Sequence, residues 1–180
     1  MTMLKKIMVA IDESAASEWA FDLALEMAKA LNAELTLIHV LDVYSPTAPQ
    51  QPHTWADTSM EINEAAHREY RNKWNQFVNR YEALLKKYQG KAKSAGVSAQ
   101  YKQPYGHPGP TLVKTVKEDG IDLMVVGNHD PSTTESSVLG SVSNYLVHHS
   151  PCSVTVVHPN NKQGSESRLD RSEFAPLGVV

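Results

Sequence analysis

Short apolar runs alternate with longer stretches of helical period along this chain, and that alternation limits the folds open to it more than any other feature. Ile7–Ile11, Leu35–Val43, Leu123–Val126 and Ser153–Val157 are runs of aliphatic and β-branched residues bounded by polar or small ones. A continuous apolar run of this length suits a parallel strand covered on both faces. Val97–Tyr105 is more polar and reads as a strand at a sheet edge. Between the strands, Ala16, Ala20, Leu23, Ala24, Met27 and Leu31 recur at helical spacing. Trp74, Phe77, Val78, Tyr81, Leu84, Leu85 and Tyr88 do so within 58–95, with Ile62 and Ala66 extending the stripe upstream. Shorter helices follow over Thr111–Asp119 and from about Gly140 to His149. The order β-α-β-α-β-α-β-α-β predicts an α/β fold with one open, mostly parallel five-stranded sheet and helices on both faces.

Local punctuation agrees with this order. Asp12 or Ser14 caps the first helix, Asn32-Ala33 ends it, and Gly96 and Gly120 close the next two. Residues 44–57 are different in kind. Pro46, Pro49 and Pro52 favour an extended, polyproline-like insertion without internal hydrogen bonds. Such a loop is either a solvated insertion or a lid, because it leaves the end of a strand where ligands of α/β sheets bind. The basic face of Arg80, Lys86, Lys87, Lys91 and Lys93 reads as a solvated helix surface. Residues 1–158 are expected to form the domain and 159–180 a tail. The tail's apolar end docks on the body or on a second subunit if it orders at all.

Composition removes several function classes. Apolar content of 41% and charged content of 21% are values of a globular chain. A formal net charge of −3 gives no general attraction to nucleic acid or anionic membrane. A single cysteine, Cys152, allows no internal disulfide and is expected to be a small buried residue. No apolar run approaches membrane-spanning length, and the first one is too short for a secretory signal, so a cytoplasmic location is expected. There is no phosphate loop ending in Gly-Lys-Ser/Thr and no Gly-x-Ser-x-Gly elbow. Adjacent histidines at 148 and 149 point in different directions on a helix, and His129-Asp130 is an isolated pair. No metal site and no catalytic residue are expected.

The chemistry concentrates in Leu123–Ser143. A buried strand runs into Gly127-Asn128, a polar loop follows, and Gly140, Ser141, Val142 and Ser143 open a helix. The free N–H groups and positive dipole end of such a helix suit an anion, typically a phosphate. Asp12 and Val40-Leu41-Asp42 lie at other strand ends, where the same crevice would run. Asp12 accepts hydrogen bonds from a ribose hydroxyl or an amino group, or it is a plain helix cap.

KKIMVAIDESAAS, AELTLIHVLD, GHPGP, IDLMVVGNHD and LGSVSNYLVHHSPCSVTVV resemble, in order, segments of the universal stress protein family across most of residues 4–158. The spacing from Gly127 to Gly140-Ser141 is similar to that family's G-x2-G-x9-G-[ST] nucleotide loop. The resemblance implies a Rossmann-like sheet of order 3-2-1-4-5, homodimerisation and, in one branch of the family, adenine nucleotide binding. By position it puts Ala10, Asp12 and Val40 at the adenosine. Gly127, Gly140, Ser141, Val142 and Ser143 surround the ribose and phosphates, with Asn128 beside them. The family's middle glycine is Asp130 here. A carboxylate about 6 Å from a phosphate charge costs roughly 2–3 kcal/mol at an effective dielectric of 20. That favours AMP over ATP unless Mg2+ bridges Asp130 and the phosphates. The dimer is expected through Ser153–Val157, an apolar edge strand with no proline or lysine to protect it. Two functions stay open. One is a stress-response dimer that binds AMP or ATP without significant turnover; the other is a nucleotide-free protein acting on an unknown protein partner through its dimer surface, extra helix, loop and tail.

Overall fold

The computed structural model describes residues 4–52, 60–128 and 139–158. Its elements are β1 (Lys6–Ala10), α1 (Ala15–Leu31), β2 (Glu34–Ile38), α2 (Met60–Ser94), β3 (Ala99–Lys102), α3 (Pro108–Asp119), β4 (Leu123–Gly127), α4 (Ser141–His149) and β5 (Ser153–Val157). All pairings are parallel and the strand order is β3-β2-β1-β4-β5, as the resemblance implied. No helix among the described residues is long and apolar enough to cross a membrane.

The continuous apolar strands are explained by a core on each face of the sheet. Ile7 and Val9 of β1 pack with Phe21, Ala24, Leu37, Leu85 and Tyr88 under α1 and α2. Met8, between them in sequence, packs on the other face with Leu112, Val116, Met124 and Leu146 of α3, β4 and α4. Each large side chain buried this way contributes about 1.5–3 kcal/mol. At one end of the sheet, the Asp122 carboxylate accepts the N–H groups of Lys5 and Lys6 and so fixes the start of β1 beside β4. Those two bonds hold its pKa below the usual carboxylate range.

Several expectations need correction. The buried face of α1 is Ala16, Ser17, Ala20, Phe21, Ala24 and Ala28, whereas Leu23, Met27 and Leu31 are half-buried on its flank. Small residues win that face because α1 crosses closely over the end of β4. Ser14, not Asp12, caps this helix, its Oγ accepting the Ser17 N–H at 3.1 Å. The stripe on α2 does not reach Ile62; Met60 and Ile62 are 79% and 61% exposed, because the first turns run past the sheet. β2 ends at Ile38 rather than Val43, although the His39 and Leu41 N–H groups still bond Lys102 and Pro104. β3 is likewise limited to Ala99–Lys102, since Pro104 has no N–H to give its neighbour. α3 begins at Pro108 rather than Thr111, with proline at the helix start where a missing N–H is harmless.

The proline-containing segment is also not extended over residues 44–48. The Ser45 N–H bonds the Asp42 carbonyl at 3.1 Å and the Ala48 N–H bonds that of Ser45 at 2.9 Å, making two successive turns. Pro46 sits at the second position of the latter turn, where its fixed φ is already suitable. Ala48 is buried against Leu41, Phe77 and Tyr81, so this segment folds down onto α2. Cys152 is half-buried rather than buried, packed at the margin of the α3–α4 core. Residues 53–57 of the insertion and the tail at 159–180 lie outside the described residues.

Candidate functional site

The sheet reverses its order between β1 and β4, and the C-terminal ends of β1, β2 and β4 open there onto a cleft of about 740 Å³. Asp12, Val40, Gly127, Gly140, Ser141, Val142 and Ser143 all line it. Ala10 does not line it; it is half-buried against the α3–α4 core. Asn128 is not a lining residue either. Its buried Oδ1 accepts the Gly140 N–H at 2.8 Å, fastening the start of α4 to the end of β4. Asp130 and His129 lie outside the described residues.

These bonds change which groups can meet a ligand. The Gly140 N–H is engaged by Asn128, and the Ser143 hydroxyl donates to the Gly127 carbonyl at 3.3 Å. What remains at this end are the first-turn N–H groups of Ser141, Val142 and Ser143, which a helix leaves without internal partners, and the exposed Ser141 side chain. Asp12 Oδ1 accepts the Ser14 N–H at 2.8 Å, while Oδ2 has no hydrogen bond among the described residues. Neither lysine nor arginine lines the cleft among the described residues, and Asp12, Glu13 and Asp42 do. The α4 N-terminus is therefore the positive feature of an otherwise acidic rim. Arg80, the nearest guanidinium on α2, is held by Glu13 through Nε–Oε1 at 2.6 Å and Nη2–Oε2 at 2.5 Å.

On the β2 side of the cleft, Val40, Asp42 and the start of the 44–57 segment were expected from sequence, but His39, Phe77 and Tyr81 were not. His39, Phe77, Tyr81 and the Asp42–Thr47 segment form it. The only hint was a histidine interrupting the apolar run LTLIHVL. The His39 ring stacks on Tyr81 at 3.7 Å between centroids and 8° between planes. Its Nδ1 lies 2.7 Å from the Ile11 carbonyl, which can only accept, so Nδ1 carries the hydrogen. Nε2 is buried and has no hydrogen-bond partner among the described residues. Next to it, neither the N–H nor the carbonyl of Val40 has a main-chain partner among the described residues. A main-chain pair left open inside a fold is unusual and fits a place reserved for a ligand.

Burial pushes the His39 pKa below the ordinary histidine value, with the Ile11 bond and the charges of Asp12 and Glu13 opposing it. The denatured chain then takes up a proton, near the ordinary value of about 6.5, that native His39 refuses. Stability is therefore expected to fall as pH drops through the window below that value. Denaturant unfolding at pH 7.5 and 5.5 should show this slope in the wild type and a smaller one in His39→Asn.

Among the described residues, no group of three or more His, Cys, Asp or Glu side chains could hold a metal ion. The molecule is thus a Rossmann-like α/β protein with a cleft and a helix N-terminus at the switch point of its sheet. The family model for the universal stress protein family matches residues 3–158. A universal stress protein of Staphylococcus haemolyticus is 33% identical over 159 residues, spanning 87% of this chain and 86% of that one. Among solved structures, UspA of Lactobacillus plantarum superposes with a TM-score of 0.64 at 22% identity, covering 85% of this chain and 97% of that one. A universal stress protein in complex with cAMP superposes with a TM-score of 0.57 at 26% identity, covering 86% and 97%. The chain belongs to the universal stress protein family.

Proposed function

We propose that the cleft binds an adenine mononucleotide in a cytoplasmic, homodimeric stress-response protein that holds its ligand without significant turnover. The observation that carries this reading is that three kinds of ligand group converge on one cleft at the switch point. They are the open Asp12 Oδ2, the open Val40 main chain, and the first-turn N–H groups of α4. Val40 offers its N–H to a ring nitrogen and its carbonyl to an amino group. Asp12 accepts from a ribose hydroxyl. Gly127 brings the backbone close to the sugar, and Ser141–Ser143 receive the phosphate. The cAMP complex of a 26% identical neighbour supports the same ligand class. Among the described residues no lysine lines the cleft to act as a phosphate-loop lysine would, and the reading is one of binding rather than hydrolysis.

Calorimetric titration tests it. AMP is expected to bind at micromolar or weaker affinity, and ATP more weakly. No heat with either nucleotide, in wild type and Asp130→Gly alike, would end the nucleotide reading. Sustained ATP turnover near about 1 s⁻¹, abolished in Ser141→Ala, would show a catalytic site instead. The acidic rim and the absence of a lining cation are what favour the second reading, a nucleotide-free protein acting on a protein partner.

The homodimer is placed on β5. This strand lies at the sheet edge, and its register with β4 turns the Ser153, Thr155 and Val157 main chain inward and that of Val154 and Val156 outward. Two copies meeting antiparallel about a twofold axis would pair those outward groups. Light scattering should give a dimer for the full chain and for a truncation after Asn160. Val156→Pro, which removes an outward donor and leaves the β4 ladder intact, should give a monomer. A full chain that is monomeric at high micromolar concentration would refute this assembly.

A further inference from the structure

The β1–β2 ladder stops one rung early, and a side chain is responsible. In a parallel ladder, the residue that donates to one neighbour accepts from the residue two further along that strand. The Ile11 N–H donates to the Ile38 carbonyl at 2.8 Å, so the next bond due is Val40 N–H to the Ile11 carbonyl. That bond is not made. The Ile11 carbonyl is taken at 2.7 Å by His39 Nδ1–H instead. The imidazole cannot easily leave, since it lies flat on Tyr81, which is itself buried against Leu41, Ala48 and Phe77. Both Leu41 and His39 bond in the other direction, to Pro104 and Lys102, so Val40 is the residue left facing the gap between β1 and β2.

We propose that His39 is a positioning residue for ligand recognition: by occupying the Ile11 carbonyl it keeps the Val40 main chain open. This rests on the nucleotide reading above and deepens it. The Val40 N–H and the Val40 carbonyl together suit a ring edge with one ring-nitrogen acceptor and one amino donor. A 6-aminopurine presents that edge. A 6-oxopurine presents the reverse, a ring N–H and a carbonyl oxygen, and meets like groups. The wall that holds His39 comes from α2 and the turns at 42–48.

Amide hydrogen exchange on the ligand-free, full-length chain tests the positioning itself. The Val40 N–H should exchange at least tenfold faster than those of His39 and Leu41. In His39→Phe, which keeps a ring on Tyr81 but has no donor, Val40 should close onto Ile11 and become protected like its neighbours. In His39→Asn, whose Nδ2 can replace Nδ1, Val40 should stay open. Calorimetry with AMP and IMP then reads the consequence. Wild type should prefer AMP by roughly tenfold or more, the scale of one buried hydrogen bond made or lost. His39→Phe should lose that preference mainly through weaker AMP binding, and His39→Asn should retain most of the AMP affinity. A Val40 amide as protected as Leu41 in the wild type overturns the proposal, whether or not nucleotide binds. So does a folded His39→Phe with unchanged Val40 exchange and unchanged AMP preference. If His39→Phe fails to fold, wild-type exchange and His39→Asn decide. Absence of any nucleotide heat beside an open Val40 would count against the ligand reading alone.

Discussion

Gly127→Ala is expected to melt roughly 2–12 °C below the wild type, following from overpacking of about 1–3 kcal/mol and a shift of about 2–4 °C per kcal/mol for a chain of this size. A Cβ at Gly127 would lie 2.5 Å from the Ala16 carbonyl carbon, 2.6 Å from its oxygen and 2.9 Å from its Cβ. Two of those atoms are main chain in the first turn of α1, so no side-chain rotation relieves the contact. Backbone conformation is not the issue, since Gly127 is not among the positive-φ glycines. The helix must shift, and its first turn carries the Ser14 cap and the adjoining Asp12. Gly90 is the control. It lies in α2 with nothing within 4 Å of an added Cβ, so Gly90→Ala should stabilise by about 0.5–1 kcal/mol. Thermal melts followed by circular dichroism compare the two. Equal melting temperatures for Gly127→Ala and wild type would mean that α1 yields without cost.

Asp130→Gly is expected to tighten ATP by on the order of a hundredfold, and AMP by less. A carboxylate about 6 Å from one phosphate charge costs roughly 2–3 kcal/mol at an effective dielectric of 20, and every 1.4 kcal/mol is about tenfold. AMP brings fewer phosphate charges to that repulsion. The cleft offers little relief, since its described lining contains three carboxylates and neither lysine nor arginine. Mg2+ should recover part of the ATP affinity in the wild type, by bridging carboxylate and phosphate oxygens, and little in the variant. Calorimetric titrations of both proteins with both nucleotides, with and without Mg2+, read all of this. An ATP affinity unchanged by the substitution would place the Asp130 charge away from the phosphates.

Much of this molecule is legible in its sequence because the relevant forces are local or periodic. Continuous runs such as IMVAI and LMVVG required strands covered on both faces. Asn32, Gly96 and Gly120 marked helix boundaries through left-handed turns that depend on one residue's own geometry. The spacing from Gly127 to Gly140-Ser141 was enough to bring a strand end and a helix start to one cleft. What sequence could not settle were contacts between residues far apart in the chain. That Gly127 is small to admit the backbone of α1, that Asn128 uses up the Gly140 N–H, and that Pro46 bends a segment onto α2 all depend on surfaces meeting in space. His39 is the clearest case. Its partner carbonyl lies on another strand and its stacking ring on a third element, so its role has no periodic signature. Hydrophobic pattern decides which faces are buried, whereas the tertiary packing decides which of the polar groups at the strand ends are left for a ligand.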